Sequence, residues 1–351
     1  MTSLDVQLFG SPLNEILKKV SRTFYFSLKI LPQRLRSPLA LTYLLARSAD
    51  TITDTDLLSA ERRLHWLGQL KKRLLESSHE PMGPSFNQEL AGAQNIPEER
   101  QLLEKIDLLI RLYWEDAEED RHDIQEVLVS LMYGMQRELH HFQIRTMKDL
   151  DEYCFYAAGV VGPFWTRLLR RHDPRLRSLD HERMEALGVQ FGKGLQLINV
   201  LKDVARDCQE GRCHWPQEEL IHLGVDVRPL NQPLPYNPLR PLIHRLLQQS
   251  LHYLSSGQQY LLCLPRRCYT SRLAVLWPLW IGLATLDFLA SDTQIFNPDR
   301  PHKISKKKLI QWMLLSTVVV LSQKGLEHFF RFFEKRLLQK LQDRLSSNPS
   351  L

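Results

Sequence analysis

Three polar side chains follow one another at intervals of four residues in an otherwise apolar stretch near the middle of the chain. They are Asn199, Asp203 and Asp207, within residues 191–216, which read FGKGLQLINVLKDVARDCQEGRCHWP. Neither proline nor glycine interrupts residues 195–210, so this stretch predicts a buried helix with the three side chains on one face. Two carboxylates and an amide offer oxygen ligands, which suit Mg²⁺ or Ca²⁺ better than zinc. We therefore expect this face to look into a cavity and to bind divalent cations.

A second acidic pair lies earlier in the chain. Asp50 and Asp54 are one helical turn apart after the apolar run LALTYLLA, and Arg47 precedes Asp50 on the same face. A lone pair of this kind is more often a solvated helix end. Two such pairs on apolar helices that face each other would instead form a divalent-metal cage with coordination positions open for phosphate oxygens. A diphosphate leaving group requires this chemistry.

The composition favours a helical protein. Aliphatic residues recur at helical spacing almost throughout the 351 residues, only 15 glycines occur, and no alternating strand pattern is found. These features predict one all-α domain spanning residues 1–351. The formal net charge is +6, but acidic and basic residues are interspersed and no basic–aromatic module occurs, which argues against nucleic-acid binding. An anionic substrate or a membrane surface explains the charge better.

The cysteines and the start of the chain bear on its compartment. No basic start with a long apolar core marks a secretory signal, and five cysteines are an odd number, so we expect a cytoplasmic protein with reduced thiols. Cys208, Cys213 and His214 could be read as zinc ligands. Their spacing matches no standard zinc motif, so this alternative carries little weight.

Four further stretches carry expectations about local structure. Residues 273–289 are apolar but contain a proline and an aspartate, so they predict a core helix that lines the cavity and does not span a membrane. Small residues within 157–162 leave a low-volume face, for close helix packing or for a bound chain. The acidic run 115–123 predicts a solvated segment that starts a helix, and the proline-rich residues 228–241 predict an extended surface connection.

Five stretches resemble, in the right order, the squalene/phytoene synthase family, whose members join two prenyl diphosphates head to head. The stretches are SRTF (21–24), YLLARSADTITD (43–54), EYCFYAAGVVG (152–162), QLINVLKDVARD (196–207) and EGRCHWP (210–216). The resemblance covers nearly the whole chain. It implies a single-domain, isoprenoid-synthase-type helical bundle around a central cavity.

The resemblance also implies roles for individual residues. The Mg²⁺ ligands it implies are Asp50, Asp54, Asn199, Asp203 and Asp207. The diphosphate-binding residues it implies are Ser21, Arg22, Phe24, Arg47, Gln196 and Arg212. As catalytic residues it implies Tyr43 and Arg47 near the reacting carbons, and Tyr153 to assist diphosphate departure or proton movement. Taken alone, Arg22 and Arg212 would be surface charges and Tyr43 a core side chain.

The family divides by whether a cyclopropyl intermediate is reduced with NADPH. Part of the NADPH site in the reductive branch is a basic stretch, which here is HKISKKK, so the resemblance implies Lys303 and Lys306 as cofactor-binding residues. Ser305 stands where the eukaryotic type has arginine, and a solvated helix start is the alternative. No GxGxxG motif follows a strand, so a nicotinamide cofactor would be held without a Rossmann domain.

The implied reaction joins two molecules of farnesyl diphosphate to presqualene diphosphate and reduces this intermediate to squalene. The nearest alternative is a non-reductive member that forms presqualene diphosphate, dehydrosqualene or, from longer substrates, phytoene. A non-catalytic assembly or scaffold relative should lose the acidic pairs, and this chain keeps both. An unrelated helical interaction protein would give no reason for carboxylates on apolar helix faces. We expect a monomer without a membrane anchor, in peripheral contact with the inner face of the membrane because its substrates are lipids.

Overall fold

A computed structural model describes residues 3–10, 12–21, 24–76, 80–225, 234–297 and 306–346, and this described part contains helices and no strand. The all-α prediction is confirmed. The α-helices are α1 (Ser3–Phe9), α2 (Pro12–Ser21), α3 (Phe24–Lys29), α4 (Gln33–Thr53), α5 (Ala60–Leu75), α6 (Pro84–Phe86), α7 (Pro97–Leu103), α8 (Ile106–Glu115), α9 (Glu118–Leu139), α10 (Met147–Cys154), α11 (Val161–His172), α12 (His181–Gln209), α13 (Gln217–His222), α14 (Tyr236–Cys263), α15 (Tyr269–Leu289), α16 (Lys306–Val319) and α17 (Gln323–Ser346). Two π turns, Asn87–Ala91 and Phe155–Gly159, and a 3₁₀ turn, Pro174–Leu176, complete the described elements.

The chain divides into two compact units. The first comprises Met1–Phe142 and Phe164–Arg177, and the second comprises Gln143–Pro163 and Ser178–Leu351. Each acidic pair named above lies in a different unit. The single domain remains a prediction.

Helix α4 is the centre of the first unit, where it contacts α1, α5, α7, α8 and α9. Its buried side chains recur at helical spacing, among them Leu41, Leu45 and Ile52, so one broad face packs into the core. Ser59 caps α5 by accepting a hydrogen bond from the backbone N–H of Arg62 at 3.3 Å. The remaining stripe of α4 is partly exposed and carries the residues that could do chemistry.

The acidic run 115–123 starts α9 at Glu118, as predicted, and Glu115, Glu118 and Glu119 are exposed. The prediction of a solvated segment is wrong for two of its aspartates. Asp120 and Asp123 are buried in α9. Arg171 donates hydrogen bonds to both carboxylates, and the ring Nε2 of His172 lies 2.7 Å from an Asp120 oxygen. Buried carboxylates need such partners, and these partners lie about fifty residues away in α11, where sequence periodicity gives no sign of them.

Helix α12 is the centre of the second unit and packs on α14, α15 and the π turn at Phe155–Gly159. Small residues allow this contact. A Cβ atom built on Gly162 would lie 2.2 Å from the carbonyl carbon of Gly188, and one on Gly192 would lie 2.5 Å from the carbonyl oxygen of Ala158. Close helix packing is therefore the observed use of the small residues between 157 and 162.

Helix α15 is the core helix that residues 273–289 predicted. Among the described helices it is long and apolar enough to cross a bilayer, yet 83% of its most apolar window is buried in the protein. Its one acidic residue is paired inside the protein, because Arg336 Nε and Lys340 Nζ lie 2.8 and 2.6 Å from Asp287 Oδ1. Burial and internal ion pairs are typical of a core helix.

The prediction of an extended connection over residues 228–241 is wrong for residues 236–241. Helix α14 begins at Tyr236, so residues 236–241 are helical, whereas residues 226–233 lie outside the described part. Pro238 falls in the first helical turn, where the backbone N–H that proline lacks has no intrahelical partner. Proline content alone therefore does not distinguish an extended connection from a helix start.

The contact between Gly162 and Gly188 gives a stability prediction. Gly162→Ala should lower the free energy of unfolding by about 1–3 kcal/mol, because the added methyl group has no room against the backbone. Gly68→Ala in α5 is the matched control, since no atom lies within 4 Å of its added Cβ. That change should cost nothing and could gain up to about 1 kcal/mol. Urea denaturation followed by far-UV circular dichroism measures both, and equal free energies in the two variants would contradict the packing.

Candidate active site

The first unit presents a polar stripe along α4. Tyr43, Arg47 and Asp50 follow one another at intervals of three or four residues, so they lie on one side of the helix. Asp54 is the exposed C-cap residue just beyond the helix end. The guanidinium of Arg47 donates a hydrogen bond to Asp50 through Nη1 and one to Glu99 of α7 through Nη2. Arg47 and Asp50, which were predicted to share a helix face, are thus in direct contact.

Carboxylates outnumber the cation at this stripe. Burial raises the pKa of the Asp50 carboxyl, Arg47 lowers it, and the nearby carboxylates of Glu138 and Glu99 raise it further, with a net rise. Burial likewise lowers the pKa of Arg47, but Asp50 and Glu99 outweigh that effect and hold it above its usual value. A site with excess negative charge and oxygen ligands suits a hard divalent cation.

Glu99 and Glu138 were missed by the sequence analysis. Glu99 belongs to the first turn of α7 and Glu138 to the end of α9. Each sits among other charged residues in the sequence, so neither stands out by its setting. The available signal was indirect: a buried Arg47 beside a single aspartate needs a further acidic partner.

The other predicted residues of the first unit lie at the N-terminal side of the same stripe. The hydroxyl of Tyr43 donates a hydrogen bond to the backbone oxygen of Val20 at 2.9 Å, and its ring centroid lies 5.2 Å from that of Phe24. Ser21 donates its hydroxyl hydrogen bond to the carbonyl of Leu17 within α2. The structure therefore groups Phe24 and Tyr43 beside Val20, the residue that precedes Ser21, while Arg22 lies outside the described residues.

The second unit presents its own polar stripe along α12. Asn199 donates from Nδ2 to Gln196 Oε1 at 3.4 Å, and Gln196 donates from Nε2 to the hydroxyl oxygen of Tyr153 at 3.3 Å. Lys202 Nζ lies 2.9 Å from Asp203 Oδ2. These contacts join α12 to α10 and place the phenol of Tyr153 beside the predicted metal ligands.

His214 contacts both Tyr153 and Asp207. Its ring stacks on the Tyr153 ring with centroids 4.8 Å apart and planes at 21°, and its Nδ1 lies 3.2 Å from Asp207 Oδ2. Tyr153 therefore accepts a hydrogen bond from Gln196 of α12 and stacks on His214, which in turn contacts Asp207 of α12. From the sequence, His214 was a candidate only as a zinc ligand. Its contact with Tyr153 depends on how the chain turns after α12.

That turn has identifiable causes. Gly211 adopts a positive φ of 75°, and the backbone N–H of Arg212 donates to the carbonyl of Asp207 at 2.8 Å. Trp215 is fully buried and donates from Nε1 to the carbonyl of Val200 at 3.5 Å. The glycine reverses the chain and the tryptophan anchors it, which places His214 against Tyr153. The guanidinium of Arg212 pairs with Glu210.

An ion pair near Tyr153, between buried Lys193 and the partly exposed Asp151, was also missed. Lys193 Nζ lies 2.5 Å from Asp151 Oδ1, and the hydroxyl of Tyr253 donates to the same carboxylate. Burial, and then the hydrogen bond to Asp151, raise the pKa of Tyr253. The three side chains connect α10, α12 and α14, so they hold the segment that carries Tyr153.

The cysteines at the end of α12 form a pair with each other. Cys208 donates a hydrogen bond to the sulfur of Cys213, which raises the pKa of Cys208 and lowers the pKa of Cys213 to about 7. Since His214 directs Nδ1 towards Asp207, the geometry gives the zinc alternative no support. Lys303 lies outside the described residues, and Lys306 begins α16 with its side chain outside them.

Two comparisons with known proteins agree on a family. The model of the squalene/phytoene synthase family matches residues 17–308. Squalene synthase of Schizosaccharomyces pombe is 29% identical over 210 residues, which are 58% of this chain and 43% of that protein. Squalene synthase of Bos taurus is 27% identical over 308 residues, 86% and 68% of the two chains, and that of Homo sapiens is 26% identical over 327 residues, 90% and 72%.

Two solved structures share the fold. The complex of TcSQS with the ligand E5700 has a TM-score of 0.70 at 21% identity and covers 93% of this chain and 97% of its own. A dehydrosqualene synthase in complex with a ligand has a TM-score of 0.64 at 22% identity, with 90% and 99% covered. At these identities the likeness supports the fold.

The hydrogen bond between the cysteines predicts the reactivity of Cys213. Its alkylation by iodoacetamide should rise with pH and reach half of its maximum near pH 7, because the thiolate is the nucleophile. Cys208→Ala removes the donor and should move this midpoint towards the ordinary value of about 8.5. Cys263→Ala is the control and should leave it unchanged. Mass spectrometry of the modified peptide gives the midpoint, and a wild-type midpoint above pH 8 would contradict the hydrogen bond.

Proposed function

Since the chain belongs to the squalene/phytoene synthase family, as its motifs predict, we propose that it catalyses the Mg²⁺-dependent condensation of two farnesyl diphosphates to presqualene diphosphate and the NADPH-dependent reduction of this intermediate to squalene. Family members and the curated relatives are prenyltransferases, which supports the first half of the proposal. The first relative is matched over less than half of its length. The specific substrates and products are therefore part of the proposal.

The observation that carries the proposal is the pair of carboxylate-rich stripes on α4 and α12. Asp50 and Asp54 would hold Mg²⁺ on the first, and Asn199, Asp203 and Asp207 on the second. These oxygen donors and the excess of carboxylates beside Arg47 fit a hard divalent cation. When bound, Mg²⁺ supplies positive charge that stabilises the departing diphosphate.

Arg47 would orient the diphosphate. Two carboxylates, Asp50 and Glu99, hold its guanidinium in a fixed position. Its buried Nε has no hydrogen-bond partner among the described residues, so one donor of the planar fork is unused. A phosphate oxygen would satisfy it. The other diphosphate-binding residues in this proposal are those that the family motifs imply: Ser21, Arg22, Phe24, Gln196 and Arg212.

Tyr153 would assist departure of the diphosphate by donating its phenolic proton in a hydrogen bond. Gln196 donates to the phenol oxygen and the ring of His214 stacks on the ring, so its orientation is set from two sides. A fixed donor gives up little conformational freedom when charge develops on the leaving group. Tyr43, tied to Val20 and packed on Phe24, would border the reacting carbons.

The reductive step rests on fewer residues. Lys303 and Lys306 would bind phosphate groups of NADPH, and Lys306 stands at the start of α16. A second candidate function is the non-reductive reaction that ends at dehydrosqualene or presqualene diphosphate, because a dehydrosqualene synthase shares the fold over most of both chains.

In either reaction the apolar residues around the stripes would exclude water from carbocation intermediates. We propose a monomer that works at the inner face of the membrane.

Product analysis tests the proposal. Purified protein is incubated with farnesyl diphosphate, with and without Mg²⁺ and NADPH, and extracts are identified by mass spectrometry. Squalene formed only when both are present supports the full reaction, whereas dehydrosqualene or presqualene diphosphate regardless of NADPH supports the non-reductive alternative. Absence of any C30 product would contradict both.

Asp203→Asn should reduce the rate of product formation about a hundredfold or more, because it removes a proposed Mg²⁺ ligand. Glu182→Gln is the matched control, since Glu182 is an exposed acid in the first turn of the same helix. It should keep the wild-type rate. A near-normal rate in Asp203→Asn, with circular dichroism unchanged, would remove α12 from the proposed metal site.

A further inference from the structure

Helix α16 exposes an apolar stripe that no other part of the described chain covers. The side chains of Leu314, Leu315 and Val318 are 67%, 50% and 70% exposed, and Leu321, just beyond the helix end, is 50% exposed. These positions follow the spacing of one helix face. We call these four residues the outer face of α16.

The opposite side of α16 is already packed. Ser316 and Val320 are buried, and Trp277 of α15 donates from Nε1 to Ser316 Oγ at 2.8 Å. The helix is therefore apolar on both sides, with one side held by α15 and the other open. Large apolar side chains grouped on one exposed helix face mark a surface that contacts a partner or a membrane.

The charge of the sequence around this helix indicates which kind of partner binds the outer face. Residues 300–326 contain six basic residues and no acidic one: Arg300, Lys303, Lys306, Lys307, Lys308 and Lys324. The whole chain has 46 basic and 40 acidic residues, so 40 of each remain outside this segment. The formal net charge of +6 thus arises in the segment that carries the outer face. An apolar face with basic flanks is the pattern of a helix that lies on an anionic bilayer.

We propose that the outer face of α16 docks on an anionic lipid bilayer, with its leucines and valine in the boundary between headgroups and acyl chains, and that the net positive charge of residues 300–326 attracts the anionic headgroups. The docking concerns a surface outside the two acidic stripes and does not depend on the proposed reaction. If that reaction is correct, docking also places a lipid-synthesising enzyme where its product can leave without crossing water.

The length of the helix excludes a transmembrane alternative for this segment. The apolar stretch from Leu309 to Leu321 has 13 residues, whereas a spanning helix needs about 20. A second copy of the chain is also a poor cover. In a symmetric contact the basic segment would meet itself, and it contains no acidic residue with which to pair.

Vesicle flotation of the full chain, without substrate, tests the docking. The wild-type protein should float with vesicles of equal parts phosphatidylcholine and phosphatidylglycerol and bind pure phosphatidylcholine vesicles more weakly. In high salt its binding to the two kinds of vesicle should become equal. Because no turnover is measured, failure of docking and failure of the proposed reaction are distinguishable.

Matched double variants locate the surface. Leu314→Gln with Val318→Gln should weaken binding about tenfold or more, because two apolar side chains no longer enter the boundary. Leu57→Gln with Ile221→Gln is the control, since these residues have the same exposed fractions, 67% and 70%, and lie outside α16. The control should bind like the wild type. Lys307→Gln with Lys308→Gln should weaken binding to anionic vesicles only, by about fivefold for each lysine.

Three results would overturn the proposal. Wild-type protein that does not float with anionic vesicles would exclude docking. Equal binding by the α16 double variant and its control would assign docking to another surface. A wild-type dimer in analytical ultracentrifugation that becomes a monomer in Leu314→Gln with Val318→Gln would show that a second copy covers the outer face.

Discussion

Carboxylates that share a face of an apolar helix repel each other, and the rest of the site follows from how this chain holds them there. At about 6 Å and an effective dielectric constant near 20, two such charges repel by about 3 kcal/mol. On α4, Arg47 offsets part of this repulsion at Asp50, but Glu99 and Glu138 add to it, and the pKa of Asp50 is raised. A bound cation would balance the excess negative charge of these carboxylates.

The elements around each stripe fix its side chains before any ligand arrives. In the second unit, Trp215 anchors the turn that returns His214 to α12, and Lys193 with Asp151 holds the segment that carries Tyr153. Close glycine contacts keep that segment against α12. The catalytic candidates therefore rest on helices whose positions are set by packing, which limits the reorganisation needed when charge develops.

Local sequence was sufficient for the all-α class and for the spacing of polar side chains on α12, but not for the start of α14, where prolines suggested an extended connection. Residues 195–210 lack helix breakers, and the stripe of Asn199, Asp203 and Asp207 follows from the helical repeat alone. Partners distant in sequence could not be predicted. Periodicity gives no sign that Glu99 meets Arg47, or that Arg171 pairs with buried Asp120. The roles of the site residues came from a family resemblance, and they remain predictions.

Magnesium binding in the absence of substrate tests the central claim most directly. Thermal unfolding of the wild-type protein should shift upwards with MgCl₂, since a ligand at a hundred times its dissociation constant stabilises the folded state by about 2.7 kcal/mol. Asp50→Asn should be at least as stable as the wild type in EDTA, because it relieves repulsion, and should gain little from Mg²⁺. Asp56→Asn, at a highly exposed aspartate two residues past Asp54, should respond like the wild type. An equal Mg²⁺ response in Asp50→Asn and the wild type, or none in either, would contradict a cation site on α4.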